Sequence, residues 1–203
     1  MGKRKHSGAA HPVELSAEKN ARRYSVAAAA AAAAHRRAAD LFPDVGEDPN
    51  TDGDQRFTLR ETDHWCRAVA GVKEWDLDVA ACAESHLAER YFTREMDGLR
   101  QPWSGRVWCN PPFSDIAPWV QKAWMECVVC PTIVMLLPAS RTEQRWWQDH
   151  VEPYRDGRDG ASRPVLTTHF LPSRTRFGIP GNPTGQGVGS PPFGCVLLVW
   201  KRP

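Results

Sequence analysis

The stretch Val107-Trp108-Cys109-Asn110-Pro111-Pro112-Phe113 decides the expected fold. Its first three residues are apolar and suit a buried strand, whereas the paired prolines lack N–H groups and enforce a rigid turn. A helix is predicted to follow over residues 115–128, with Asp115 as its N-cap and Pro118 in its first turn. A strand, a rigid turn and a helix in this order indicate an α/β domain that presents a site at a strand's carboxyl end.

The polar groups of this turn suit one kind of chemistry. An amine conjugated to an aromatic ring is a poor nucleophile, and its lone pair becomes available when its two hydrogens are bound. The side-chain oxygen of Asn110 and the carbonyl of Pro111 can accept those hydrogens, while Pro112 keeps the turn rigid. Phe113 offers a flat face for a base flipped out of a duplex. The pattern favours methylation of such an amine, and the alternative is an ordinary Asn-Pro turn.

Apolar runs alternate with helical patterns along most of the chain. This alternation predicts a mainly parallel sheet with helices packed on it. The glycine- and proline-rich residues 178–192 are predicted to form a loop that could act as a substrate lid. The expected strands are 75–82, 106–109, 132–137, 165–171 and 194–200, and the expected helices are 61–71, 115–128 and 142–151.

Composition separates residues 1–50 from residues 51–203. The first segment has eight consecutive alanines at 27–34 and few large apolar side chains, so we expect a solvated tail or linker, helical in part. The alanine run is too short and too weakly apolar to span a membrane. The basic start is not followed by the apolar core of a secretory signal, which favours a cytoplasmic protein. Residues 51–203 are predicted to form one folded domain.

Charge is uneven in the second segment. Residues 51–203 hold 18 Lys and Arg against 18 Asp and Glu, whereas residues 141–203 hold nine against five. The local excess of positive charge could follow a phosphate backbone.

The six cysteines lie mostly in apolar contexts, which is typical of reduced thiols in a core. Cys127 and Cys130 form a single Cys-x-x-Cys without a second pair or a nearby histidine at ligand spacing. We therefore expect no metal site, and a buried helix end instead.

The chain carries a series of motifs in a fixed order: Leu77-Asp78-Val79-Ala80-Ala81, Glu84, Tyr91-Phe92-Thr93, Asp97-Gly98-Leu99, Trp103, residues 107–113, Leu136-Leu137-Pro138-Ala139, Arg145-Trp146, Arg174-Thr175-Arg176-Phe177 and Pro192-Phe193. Together these motifs resemble those of the phage-type DNA N6-adenine methyltransferases. The resemblance covers about residues 56–200. It implies a Rossmann-like fold dependent on S-adenosylmethionine, with a mainly parallel central sheet and an antiparallel last strand, and it implies the N6 amine of adenine in DNA as acceptor.

The resemblance also implies a cofactor region before Asn110-Pro111-Pro112-Phe113, the segment called the reactive turn below. Asp78 could bind the methionine ammonium or a water next to it, and Asp97 could bind the adenine amino group or the ribose. Thr58 and Ala80 are further candidate contacts. The family usually has Thr-Pro where this chain has Thr58-Leu59, and often has Asn where this chain has Ser85.

The motif order leaves residues 141–192 as the expected DNA-reading part. Arg141, Arg174 and Arg176 are the candidate phosphate contacts, and the last two alternate so as to project to one face of an extended segment. Tyr is frequent in the family where this chain has Phe113, and either ring can stack on a base.

Other readings of the same residues stay open. An Asn-Pro-Pro-aromatic turn also serves methylation of RNA amines and of protein glutamine amides, whose hydrogen-bonding demands are the same. A catalytically silent DNA-binding protein with this fold is a third possibility, which cofactor binding would separate from an enzyme. The sequence indicates neither an obligate protein partner nor a membrane.

Overall fold

The structure, a computed structural model, describes residues 54–161 and 165–202. The predicted tail, residues 1–50, lies outside the described residues. In chain order the elements are β1 (Phe57–Thr58), α1 (Arg60–Ala70), β2 (Leu77–Asp78), β3 (Arg106–Cys109), α2 (Ala117–Glu126), β4 (Thr132–Pro138), α3 (Arg145–His150), β5 (Leu166–Phe170), β6 (Phe177–Gly178) and β7 (Cys195–Lys201).

Five strands form the central sheet in the order β2-β3-β4-β7-β5. The β2–β3 and β3–β4 pairs are parallel, whereas β7 lies antiparallel between β4 and β5. Strand β5 therefore runs in the same direction as β2, β3 and β4. The expected mixed α/β class, with a mainly parallel sheet and an antiparallel last strand, is confirmed.

The core lies on both faces of β4 and β7. All seven residues of Thr132–Pro138 are buried, as are the six apolar residues that begin β7. A strand covered on both faces needs apolar side chains at every position, which is why these two runs do not alternate with polar residues. Trp108 in β3 and Trp200 in β7 are also almost fully buried.

The first predicted strand is shorter than expected. Strand β2 has only two residues, because the chain turns after Asp78, whose carboxylate accepts the N–H groups of Ala80 and Leu87 at 3.3 and 3.0 Å. Side chains that bind nearby N–H groups in this way replace the ladder of a sheet. An isolated bridge from Cys82 to Ser85 belongs to this turn.

Asp115 does not cap the helix, so that prediction is wrong. Helix α2 begins at Ala117 after Ile116, without a side-chain capping bond, and Asp115 is exposed. The N–H of Ser114 is bound instead by the carboxylate of Asp54 at 3.0 Å. The helical predictions at 61–71 and 142–151 are confirmed, although the second helix is only six residues long.

A second, two-stranded sheet carries the segment that approaches the reactive turn. Strand β1 pairs antiparallel with β6, which aligns Phe57 with Gly178 and Thr58 with Phe177. Residues 179–192 after β6 form a loop that contains turns and an isolated bridge between Ile179 and Asn182, as the predicted loop at 178–192 requires. Among the described residues, no helix combines the length and the apolar character that a membrane crossing requires.

Candidate active site

A cleft of about 770 Å³ opens at the carboxyl ends of β2 and β3. The two strands are parallel and Asp78 is aligned with Trp108, so their next residues emerge at the same edge of the sheet. The sheet thereby brings together Asp78, from the predicted cofactor region, and Asn110, from the reactive turn. The other predicted site residues that line the cleft are Thr58, Ala80, Asp97 and Pro112.

The side-chain amide of Asn110 is held in one orientation. Its Nδ2 donates to the main-chain carbonyl of Arg56 at 2.6 Å, and its Oδ1 is buried without a hydrogen-bond partner. Buried polar atoms are almost always paired in folded proteins, and an unpaired acceptor is costly. The Oδ1 atom is therefore an acceptor that a ligand's N–H can satisfy.

Phe113 does not present a free face to the cleft. Its ring is 5% exposed and makes edge contacts at 6.0 Å between centroids with Phe177 and with Phe193. Stacking of a base on this ring requires displacement of one of these two neighbours. The sequence predicted the aromatic character of the position but not the rings that cover it.

Asp78 is the buried carboxyl group of the cleft. Burial raises its pKa to about 6, and the N–H groups of Leu87 and Ala80 partly offset that rise. At pH 7 the group is mostly ionised, with 4% of its surface exposed. A buried carboxylate with only two neutral donors retains capacity to accept from a cation.

Asp97 lies on a sharp turn at the rim of the cleft. It adopts a left-handed backbone conformation, with φ of 53°, and its carboxylate accepts the N–H of Leu99 and pairs with Arg100 at 3.2 Å. The next residue must be glycine, since a Cβ on Gly98 would stand 2.1 Å from the carbonyl of Val79. This contact holds the Asp97 turn against the end of β2.

Thr58 contributes a second unsatisfied group. Its Oγ1 is buried and has no hydrogen-bond partner among the described residues. The hydroxyl can donate one hydrogen bond and accept others. Thr58 and Asn110 thus supply two buried polar atoms beside the same cleft.

The cleft is strongly acidic. Its lining contains six carboxyl groups but only two arginines, Arg56 and Arg94. A concave wall with an excess of one sign concentrates ligands of the opposite charge. The acidic residues are Asp54, Asp78, Glu84, Glu95, Asp97 and Asp115.

The three predicted phosphate contacts occupy different environments. Arg141 is partly buried and donates through Nη1 to the carbonyl of Phe113 at 2.6 Å, so it supports the reactive turn. Arg174 and Arg176 are exposed on either side of buried Thr175, as their alternation predicted. A bond of 2.9 Å between the hydroxyls of Thr175 and Thr62 anchors this segment to α1.

Cys127 and Cys130 lie in the connection between α2 and β4. Both are buried, and burial raises the pKa of each thiol to about 11. Among the described residues, no group of three or more His, Cys, Asp or Glu side chains is arranged to hold a metal ion.

Three contributors to the site escaped sequence reasoning. They are the main-chain carbonyl of Arg56 and the paired side chains of Asp54 and Ser114. The chain separation between the members of each pair leaves no local pattern that could have revealed them. The candidate cofactor contact at Thr58 was the sequence signal that this segment belongs to the site.

A polar turn beside an acidic cleft, at the carboxyl edge of a mainly parallel sheet, is where α/β proteins commonly carry a ligand-binding or active site. The chain belongs to the family described as DNA N-6-adenine-methyltransferase (Dam), whose sequence profile matches residues 49–163, more than half of the chain. That match includes the reactive turn and the cofactor region.

Two phage proteins are similar to this chain. A DNA N-6-adenine-methyltransferase of Escherichia phage T1 is 30% identical over 129 residues, covering 57% of this chain and 53% of the relative. A DNA N-6-adenine-methyltransferase of Haemophilus phage HP1 is 34% identical over 76 residues, covering 36% of this chain and 43% of the relative. The chain thus spans about half the length of these relatives.

Among solved structures, a candidate RNA methyltransferase from Pyrococcus horikoshii matches with a TM-score of 0.35 and 11% identity. It covers 64% of this chain and 62% of that protein.

Proposed function

We propose that this protein transfers a methyl group from S-adenosylmethionine to the exocyclic N6 amine of adenine in DNA. The observation that carries the proposal is the buried, unpartnered Oδ1 of Asn110, fixed beside the cleft by the bond from Nδ2 to the Arg56 carbonyl. Membership of the adenine methyltransferase family supports the choice of acceptor. The names of the two phage relatives agree with it.

The chain's residues activate the amine by accepting its hydrogens. Asn110 Oδ1 takes one N–H and the carbonyl of Pro111 takes the other, which withdraws the nitrogen lone pair from the ring and directs it at the methyl group. The proton left on nitrogen after transfer is lost to solvent, so a dedicated general base is not needed. Arg141 keeps the turn in place through the carbonyl of Phe113.

The cleft fits the cofactor in charge and in polar groups. S-adenosylmethionine supplies a methyl group carried on a positively charged sulfonium. The carboxylate of Asp78 would bind the ammonium group, and the Thr58 hydroxyl would satisfy a polar atom of the methionine part. Asp97, which lines the same cleft, would bind the ribose or the adenine amino group. The excess of carboxylates favours a ligand with a net positive charge.

The DNA would approach from the side of the exposed arginines. Arg174 and Arg176 would grip phosphates, and a flipped adenine would stack on Phe113 after Phe193 or Phe177 moves aside. Arg141 is a weaker candidate for phosphate binding, since its guanidinium already serves the reactive turn.

Nucleoside mass spectrometry tests the proposal directly. DNA and RNA would be isolated from methylation-free cells that express the wild-type protein, Asn110→Ala or Gln148→Ala. Gln148 is a matched control, because its amide also donates to a main-chain carbonyl, that of Thr142 at 2.7 Å, and it does not line the cleft.

N6-methyladenine in DNA from cells with wild type and Gln148→Ala, and its absence with Asn110→Ala, is the expected result. Methylation found only in RNA would overturn the DNA assignment and leave the mechanism standing. Absence of product from both nucleic acids would direct the search to protein glutamine amides. If wild type also failed to bind S-adenosylmethionine, the protein would be a silent DNA-binding relative.

A further inference from the structure

Asp54 binds the residue that follows the reactive turn. Its Oδ1 accepts the N–H of Ser114 at 3.0 Å, and its Oδ2 accepts the Ser114 hydroxyl. The two bonds use both carboxylate oxygens on one partner, and the residues are 60 positions apart in sequence. This pair ties the chain just before β1 to the start of the loop that leads into α2.

Two residues after Asp54, the carbonyl of Arg56 meets the Asn110 amide. The distance of 2.6 Å from Asn110 Nδ2 selects one of the two orientations of the amide. In the other orientation two acceptor oxygens would face each other at that distance, which is repulsive. The carbonyl of Arg56 thus determines that Asn110 Oδ1, and not Nδ2, is left to accept a hydrogen bond from the amine that is methylated.

The other end of this segment is held by aromatic packing. The guanidinium of Arg56 lies 5.9 Å from the ring centroids of Phe177 and of Phe193. Strand β1 then pairs with β6. The carbonyl of Arg56 therefore lies between two anchors, one at Ser114 and one at the aromatic rings.

We propose that Asp54 is a positioning residue for the methyl transfer. By binding Ser114 it keeps the Arg56 carbonyl against Asn110, and so fixes Oδ1 toward the amine. This inference rests on the proposed function, because it assigns Asn110 as the group that binds the acceptor. Asp54 acts through the orientation of Asn110 and not on the reacting atoms themselves.

Three variants separate this role from a general effect of charge. Asp54→Ala removes both bonds to Ser114. Asp54→Asn removes the charge but keeps an oxygen for the Ser114 N–H and places an NH₂ group against its hydroxyl. Glu89→Ala removes an exposed carboxylate that does not line the cleft and is the matched control.

The first measurement is kinetic. We expect Asp54→Ala to lower kcat on the order of tenfold to a hundredfold, as misplacement of a reactive group does, with a smaller effect on KM for DNA. Asp54→Asn should restore most of kcat, and Glu89→Ala should leave it near wild type. Ser114→Ala added to Asp54→Ala should cause little further loss, since both remove one interaction. Equal losses in Asp54→Ala and Asp54→Asn would overturn the proposal in favour of a charge effect on the cofactor.

The second measurement does not depend on activity. The side-chain amide protons of Asn110 should exchange slowly with solvent in the NMR spectrum of wild type and of Asp54→Asn, and fast in Asp54→Ala. An unchanged Asn110 signal in Asp54→Ala would overturn the positioning role even if turnover fell. Absence of methylated DNA with wild type, together with the expected NMR result, would refute the proposed function and leave the structural link between Asp54 and Asn110 in place.

Discussion

The side-chain amide of Asn110 donates a hydrogen bond of 2.6 Å to the main-chain carbonyl of Arg56. The two residues come from separate parts of the chain, one at the end of β3 and the other just before β1. Because the carbonyl accepts the amide hydrogen, the Asn110 oxygen is left buried and unpartnered. The nitrogen of the Asn110 amide therefore holds the side chain in place, whereas its oxygen is available to a ligand. The expected effects of substitution follow from this difference.

Asn110→Asp should be damaging even though the new side chain has almost the same shape. One carboxylate oxygen would face the Arg56 carbonyl, which has lost its donor, at a cost of about 1–3 kcal/mol. We expect a loss of turnover and a lower melting temperature at pH 7, with part of the stability regained near pH 4 when the carboxyl is protonated. Thermal unfolding at the two pH values checks this, and wild-type stability at pH 7 would contradict it.

Cofactor binding should weaken in acid because of Asp78. Burial raises the pKa of Asp78 to about 6, so the carboxylate that would bind an ammonium group is charged above that pH and neutral below it. The charged fraction falls about tenfold between pH 7 and pH 5. Calorimetric titration with S-adenosylmethionine should show a similar loss of affinity over this range. Asp78→Asn should bind weakly at both values, and a wild-type affinity that does not change with pH would argue against the assignment.

Phe113 should contribute to stability as well as to catalysis. Its ring is 5% exposed and packs against Phe177 and Phe193, so Phe113→Ala should lower the free energy of unfolding by about 3–5 kcal/mol. Phe113→Leu retains most of the volume and should cost less. If the ring also stacks on a flipped base, the leucine variant should lose more activity on duplex DNA than on single strands. Equal losses on both substrates would leave the ring a packing role alone.

Arg141 and Arg174 should respond differently to salt. Arg141 donates to the carbonyl of Phe113, whereas Arg174 is exposed. We expect Arg141→Ala to lower kcat with little change in the slope of DNA affinity against salt concentration. Arg174→Ala should reduce that slope by about one phosphate contact and leave kcat close to wild type. Fluorescence anisotropy over a salt series measures the slope for each variant. The opposite pattern would show that Arg141, and not Arg174, contacts a DNA phosphate.

Truncation should distinguish the predicted tail from the segment that completes the site. Deletion of residues 1–50 is expected to preserve methyl transfer, because it leaves Asp54, Arg56 and Thr58 in the chain. Deletion of residues 1–58 removes the carbonyl that orients Asn110 and should abolish turnover. Cofactor binding and product formation would be measured for both. A strong loss on the shorter deletion would assign the first 50 residues a role beyond that of a linker.

The sequence by itself determined the mixed fold and the place of the reactive turn. Continuous apolar runs in β4 and β7 predict strands buried on both faces, and Asn110 directly after β3 predicts a polar group at the sheet edge. These inferences rest on residues adjacent in the chain. The same local view placed a cap at Asp115 and a free ring at Phe113, and both differ from the structure because the partners of these positions are distant in sequence.

Only the tertiary structure decided which polar atoms of the site have hydrogen-bond partners within the chain and which are available to a ligand. The Arg56 carbonyl, Asp54 and Arg141 reach the reactive turn from other parts of the chain, and the rings of Phe177 and Phe193 cover Phe113. Burial of Asp78 at the end of β2, which raises its pKa, is likewise a property of packing. A sequence pattern specifies local geometry, whereas hydrogen-bond partners and desolvation depend on which distant segments the fold brings together.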